Sequence, residues 1–243
     1  MQNIIQINAT NLPDLFFQTV FKAIEVGQDF TIDRGSYSGQ VRKEFDFVVL
    51  HSRCPHLGGI LPKLNPSLNI PDPVDANYLD GYVPYLMTAA EKSGEAYTYG
   101  QRLAAAPTPI VTSSGFDNEC HEIKEVNTLV DGIRIIENLP FHLVNQIEMM
   151  IWTYKNKGHR NNQMILQVGQ PDDILLTDPP CLRHIDTRVQ DGQLHFYPYF
   201  RSWDLWGGLP ANLAAIETLR QYAAAEIGLE KGGEIIASSK GLH

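Results

Sequence analysis

Two stretches of this chain repeat apolar residues at helical spacing, and several others alternate them. Near the start, residues 4–8 alternate weakly and predict a first strand. Asn11 follows, with Pro13 and Asp14 placed for a helix's first turn. Leu15, Phe16, Thr19, Val20, Ala23 and Ile24 then recur at helical spacing, and Gly27 should stop the helix. A turn-rich stretch over 31–40 leads to a strand at 45–51. Residues 52–77 are proline-rich and read as a long loop, a length that is usually functional in a compact domain. Residues 78–92 are helix-like, 126–136 suggest strand and turn, and 143–155 suggest another helix.

The second half has a sharper pattern. Residues 164–168 form an apolar strand. Residues 182–189 and 194–200 flank Asp191-Gly192, a strong hairpin signal. Leu209, Leu213, Ile216, Leu219 and Ala223 make the apolar stripe of a helix that ends at Gly228. A last strand begins at 234–237. Strands and helices intermix without regular βαβ alternation, so the class expected is α+β with a mixed or antiparallel sheet.

Composition narrows the function. The chain has 243 residues, 43% hydrophobic and 19% charged, which suits a single domain over 1–243 with a full core. No apolar run reaches the ~18 residues of a membrane span, and the first residues lack a signal-peptide pattern. A cytoplasmic location without membrane partners is expected. Net charge is −9, from 28 acidic and 19 basic residues, which argues against a nucleic-acid partner. An anionic small substrate would need a local arginine cluster. Cys54, Cys120 and Cys181 form neither a CxxC pair nor an even-numbered framework, and no metal is expected.

The chemistry concentrates between 179 and 212. Pro179-Pro180-Cys181-Leu182-Arg183-His184 places one thiol before a strand. A thiol nucleophile acts as its thiolate, which nearby positive charge favours, and Arg183, Arg188 and Arg201 are close in sequence. A Cys181–His184 hydrolase dyad is disfavoured, because a spacing of three on one strand sends the side chains to opposite faces. Asn212 falls in the first turn of the last long helix, where its amide offers a donor and acceptors; it could equally be a helix cap.

The run Arg201-Ser202-Trp203-Asp204 with Gly208-Leu209-Pro210-Ala211-Asn212, one hairpin after Pro180-Cys181, resembles the core of the thymidylate synthase family. The resemblance is good over about 160–243 and loose before that. It implies that Cys181 is the nucleophile and that Arg201 touches both the thiolate and the nucleotide phosphate. Ser202 would also bind phosphate, Asn212 would read the uracil edge, and Asp204 would contact the pterin of a folate. Lys240-Gly241-Leu242-His243 resembles the element whose His holds the ribose 3′-hydroxyl, so the family's Tyr and its closing C-terminal segment would follow His243. Upstream, Arg34 within Asp33-Arg34-Gly35-Ser36 resembles a phosphate-loop arginine. Tyr99-Gly100 resembles a Tyr-Gly segment near the nucleophile, and Arg160 occupies the place of an arginine that reaches the partner's phosphate.

The implied reaction is transfer of a one-carbon unit from 5,10-methylenetetrahydrofolate to C5 of deoxyuridine monophosphate, giving deoxythymidylate. The implied architecture is a mixed sheet flanked by helices, with sheets packed back to back in a homodimer. The sequence departs from the family where its catalytic glutamate belongs, since residues 45–90 contain no Glu. Asp72, Asp75 and Asp80 lie in that interval without the family's flanks. The departure keeps two alternatives open: a pyrimidine nucleotide 5-hydroxymethylase of the same fold, and a nucleotide-binding protein without turnover.

Overall fold

The computed structural model describes residues 4–33, 37–109, 128–130, 133–135, 141–230 and 232–243. Elements run β1 (Ile4–Ala9), α1 (Leu12–Val26), β2 (Gln28–Thr31), β3 (Val41–Ser52), α2 (Ala76–Met87), α3 (Tyr99–Ala104), β4 (Ala106–Pro109), β5 (Thr128–Val130), β6 (Ile133–Ile135), β7 (Phe141–Val144), α4 (Gln146–Lys157), β8 (Ile165–Gln167), β9 (Leu182–Gln190), β10 (Gln193–Phe200), α5 (Gly208–Ile227) and β11 (Ile235–Leu242). The main sheet has the order β1-β3-β11-β10-β9-β8, with β2 pairing β3 at one side. β1–β3 and β10–β11 are parallel, while β3–β11, β10–β9 and β9–β8 are antiparallel. This is a mixed α+β fold with a sheet flanked by helices.

Local chemistry explains the ends. Asn11 Oδ1 accepts from the Asp14 amide at 2.9 Å and starts α1, which stops at Gly27 as expected. The β9–β10 turn carries positive φ at both Asp191 (52°) and Gly192 (74°), the left-handed pair that a two-residue hairpin needs. α5 ends at Gly228, whose amide bonds back to the carbonyls of Ala224 and Ala225.

Several expectations need correcting. β3 runs longer than 45–51, because β2 pairs with its first turn-side residues across the 31–40 bend. The helix expected at 78–92 starts at Ala76, where Asp75 caps it, and stops at Met87. That at 143–155 starts only at Gln146, since Asn145 caps it and 141–144 is strand. α3, too short to show a period, was not expected at all.

Helices α1, α4 and α5 bury one face of the sheet and its neighbours. Val48, Leu50, Leu166, Ile185, Leu194, Phe196, Phe200 and Ile235 point into this core, together with Leu15, Phe16, Leu213 and Leu219 from the helices. A buried ion pair ties α5 down. The Glu217 carboxylate receives the Arg220 guanidinium through two bonds of 2.7 Å, and Arg220 also donates to the Leu194 carbonyl. Both residues are at most 1% exposed, so neither charge could stand alone there. The other sheet face carries Phe47, Val49, Ile236, Tyr197 and Tyr199, all half-buried, and an exposed Ile165.

Candidate active site

The ends of β10 and β11 and the start of β9 lie side by side, and Cys181, Arg201, Ser202, Asp204 and His243 of the sequence-predicted site residues fall there. The Arg201 amide donates to the Cys181 carbonyl at 2.8 Å, extending the β9–β10 ladder past its irregularity at Tyr199/Phe200. The Trp203 carbonyl accepts from the His243 amide at 2.9 Å, and the Leu205 amide donates to the His243 carbonyl at 2.6 Å. The end of β11 is thereby pinned to the 201–205 segment.

Cys181 is half-buried. Burial pushes its thiol above the ordinary value; Arg201 pulls it down, Asp178 pushes it up and Arg183 pulls it down more weakly. Burial therefore outweighs the positive charge in the free protein. The geometry explains why. The Arg201 guanidinium donates to the carbonyls of Pro179 and Pro180 and, at 3.2 Å, to the Asp178 carboxylate. Arg183 is held by Asp173 at 2.7 Å, and Asp173 also binds Arg102 at 2.6 Å. Both arginines near the thiol thus already have anionic partners.

Tyr99 lies on the other side of Cys181. Its hydroxyl accepts from the Leu182 amide at 3.2 Å, and burial pushes its phenol up to about 12. It therefore keeps a proton to donate. Gly100, next in the chain, is required by contact: a Cβ there would collide with the carbonyls of Tyr85 and Thr88. The Tyr-Gly pair is where α3 meets the end of α2.

That packing introduces a residue that sequence reasoning missed. Tyr82, on α2, receives a hydrogen bond from the Asn212 amide at 2.8 Å. Asn212 Oδ1 accepts from the Trp203 indole at 3.0 Å. Burial, and then the neighbouring Tyr99 phenol, push the Tyr82 phenol well above its ordinary value. Hydrogen bonds thus link Tyr82, Asn212 and Trp203, Tyr99 lines a cavity with Tyr82 and bonds to the residue after Cys181, and the Arg201 amide bonds to the Cys181 carbonyl. The available signal was Tyr78, Tyr82 and Tyr85 on one face of α2. Tyr82, Tyr85, Tyr97 and Tyr99 line a cavity of about 190 Å³ there.

The remaining expected residues divide. Ser202 is half-buried between Arg201 and Trp203. The His243 ring bonds through Nδ1 to the Gly241 carbonyl at 2.9 Å, which fixes the proton on Nδ1 and leaves Nε2 as an acceptor in the neutral ring. Asp204 caps α5 from outside the helix, accepting from the amides of Trp206, Gly207 and Gly208. It is exposed, so its remaining lone pairs face outward. Arg160 is also exposed and lies beside Arg188 and the Asp191-Gly192 turn. The nine residues of β9, about 30 Å of strand, separate it from Cys181. The structure does not bring it to its own chain's thiol. Arg34 and Cys120 lie outside the described residues.

Asp72 accepts from the Leu64 amide, Asp75 caps α2 and Asp80 is exposed, so none of the three joins this group. Among the described residues, no cluster of three His, Cys, Asp or Glu could hold a metal ion. No helix among them is long and apolar enough to cross a membrane.

Comparison with known proteins shows the family. The thymidylate synthase family model matches residues 88–243. A putative thymidylate synthase of Methanosarcina acetivorans is 26% identical over 229 residues, covering 93% of this chain and 83% of that protein. One from Methanosarcina mazei is 24% identical over 230 residues, with the same coverage. A thymidylate synthase of Listeria monocytogenes serotype 4a is 36% identical over 90 residues, 37% of this chain and 28% of that protein. The match spans the thiol, the hairpin, the arginine after it and the α5 start, and the chain belongs to the thymidylate synthase family.

Proposed function

We propose that the chain methylates C5 of deoxyuridine monophosphate, with Cys181 as nucleophile. The observation that carries the reading is the cluster at one sheet end. It groups a thiol, a guanidinium, two half-buried phenols and an amide at the same end of the sheet, in a member of this family. The Cys181 sulfur adds to C6, and the C5–C6 π pair moves toward C5 and O4. C5 becomes the nucleophile. C5 would bond to the donated carbon and then lose its proton, and the sulfur–C6 bond would break last, as that carbon is reduced to methyl, which returns the thiolate.

The phosphate would replace Asp178 as the anionic partner of Arg201, with Ser202 and Arg34 as further ligands. Arg suits this, since its charge is permanent and its donors are planar. Moving Arg201 off the Pro179 and Pro180 carbonyls frees it to favour the thiolate. Tyr99 serves as the proton donor and acceptor beside the thiol. His243, through Nε2, accepts from the ribose 3′-hydroxyl. When bound, 5,10-methylenetetrahydrofolate supplies the one-carbon unit and the hydride. Asp204 would hold it, since its exposed carboxylate suits the N–H groups of a pterin and the Trp206 ring lies in the same groove.

The half-buried apolar residues on the open sheet face support a homodimer packed through that face, with 1–243 as one domain of each protomer. Arg160, remote from its own Cys181, would then serve the partner's phosphate. A second reading, nucleotide binding without turnover, is favoured by the raised thiol and by the absence of Glu from residues 45–90. Release of tritium from C5-labelled deoxyuridylate, with and without methylenetetrahydrofolate, separates the two. Folate-dependent release with a methylated product supports the synthase. A hydroxymethyl product assigns the hydroxymethylase reaction, and tight binding without release assigns the binding role.

A further inference from the structure

The Asn212 amide has a fixed orientation. An indole N–H can only donate, so the end of the amide it meets, 3.0 Å away, is the carbonyl. The other end donates to the Tyr82 hydroxyl at 2.8 Å. Reversing the amide would set its NH₂ against the indole N–H, donor against donor. The indole cannot step aside. Trp203 is 2% exposed and stacks on Phe200, with ring centroids 3.9 Å apart and planes 8° apart.

The two internal bonds use one lone pair and one hydrogen. Asn212 keeps a second lone pair and a second hydrogen, and their order in space is set. Tyr82 accepts from Asn212, so its own hydrogen points elsewhere, and no hydrogen bond takes it up among the described residues. Its raised phenol keeps that hydrogen in place at neutral pH.

We propose that Trp203 is a specificity-determining residue, which locks Asn212 in the orientation that reads uracil, and that Tyr82 adds a second donor to the same base edge. The inference rests on the nucleotide reading above. Uracil presents a donor at N3 beside an acceptor at O4. The free lone pair of Asn212 takes the first, and its free hydrogen and the Tyr82 hydroxyl meet the second. Cytosine inverts both groups. An unlocked amide would rotate to suit it. A locked one leaves buried polar groups unpaired, which is how a site rejects a near-isostere strongly.

Calorimetric dissociation constants for deoxyuridylate and deoxycytidylate test this on the full chain, its Trp203→Phe variant and its Tyr82→Phe variant, with folding followed by circular dichroism. The wild type should prefer deoxyuridylate by about 100-fold or more. Trp203→Phe keeps the ring stack but removes the lock, and the preference should fall by about tenfold, mainly because deoxycytidylate binds better. Tyr82→Phe should weaken deoxyuridylate several-fold and leave deoxycytidylate unchanged. A ratio unaltered in Trp203→Phe would overturn the lock, and equal losses for both nucleotides in Tyr82→Phe would overturn the second donor, each while leaving the nucleotide reading intact. If Trp203→Phe does not fold, Trp203→Leu, which also lacks the indole N–H, decides by the same ratio. A wild type that binds neither nucleotide overturns both proposals.

Discussion

The β9–β10 hairpin with α5, and the α2–α3 wall that faces it, are built in opposite ways. The hairpin and α5 take their shape from local signals: strict alternation, a two-residue turn with both φ angles positive, a glycine stop and a buried ion pair. The α2–α3 wall has weak local signals. α2 carries Pro84 in its interior, and α3 is six residues long. Tertiary contact holds the wall in place, through Gly100 under the end of α2 and Tyr82 bonded to Asn212. The half built on local signals presents Cys181 and Arg201, the proposed nucleophile and phosphate ligand. The half that depends on packing supplies Tyr82 and Tyr99, the tyrosines proposed to meet the substrate.

This difference can be broken from either side. The largest expected effect is on turnover. Cys181→Ser should lower kcat by about 10³-fold or more while nucleotide binding persists, because the phosphate contacts lie elsewhere. Substantial activity in that variant would remove the covalent step. On the structural side, Glu217→Ala strips the buried Arg220 of its carboxylate. Urea unfolding should show a loss of roughly 3–5 kcal/mol. A loss below about 1 kcal/mol would mean the pair does not anchor α5.

Much of the half built on local signals was legible in the sequence, for a physical reason. Strand alternation, the Asp191-Gly192 turn and the α5 stripe are short-range patterns, and they predict elements whose stability depends on the same short-range facts. The roles expected of Cys181, Arg201 and Asn212 came instead from the family resemblance of the motifs at these elements' ends. Tyr82 was not legible. It meets Asn212 across 130 residues of chain, and nothing local marks it as different from Tyr78 or Tyr85. The net balance at the Cys181 thiol was not legible either, for a similar reason. Sequence proximity placed Arg183 and Arg201 near the thiol, but only the fold shows Asp173 and Asp178 holding them.

Smaller effects sharpen the account of the thiol's surroundings. Arg201→Ala should weaken deoxyuridylate by about 2–5 kcal/mol and deoxyuridine much less. Equal losses for both would assign Arg201 a structural role. Asp178→Asn acts in the opposite direction. Removing that negative charge lowers the Cys181 pKa, so more thiolate exists at neutral pH. Iodoacetamide labelling of the Cys181 peptide, followed by mass spectrometry across pH, should show its midpoint move down in Asp178→Asn and up in Arg201→Ala. An unmoved midpoint in both would mean that burial alone sets the thiol.

The central claim is that Cys181 adds to C6 of a uracil nucleotide. It is tested most directly with 5-fluorodeoxyuridylate, whose C5 fluorine takes the place of the proton that must leave C5 and so traps the adduct. Incubation with this nucleotide and methylenetetrahydrofolate, followed by intact-mass and peptide mapping, should give one nucleotide–folate adduct per chain, on the peptide containing Cys181. An unmodified chain, or an adduct on Cys54 or Cys120, would contradict the account.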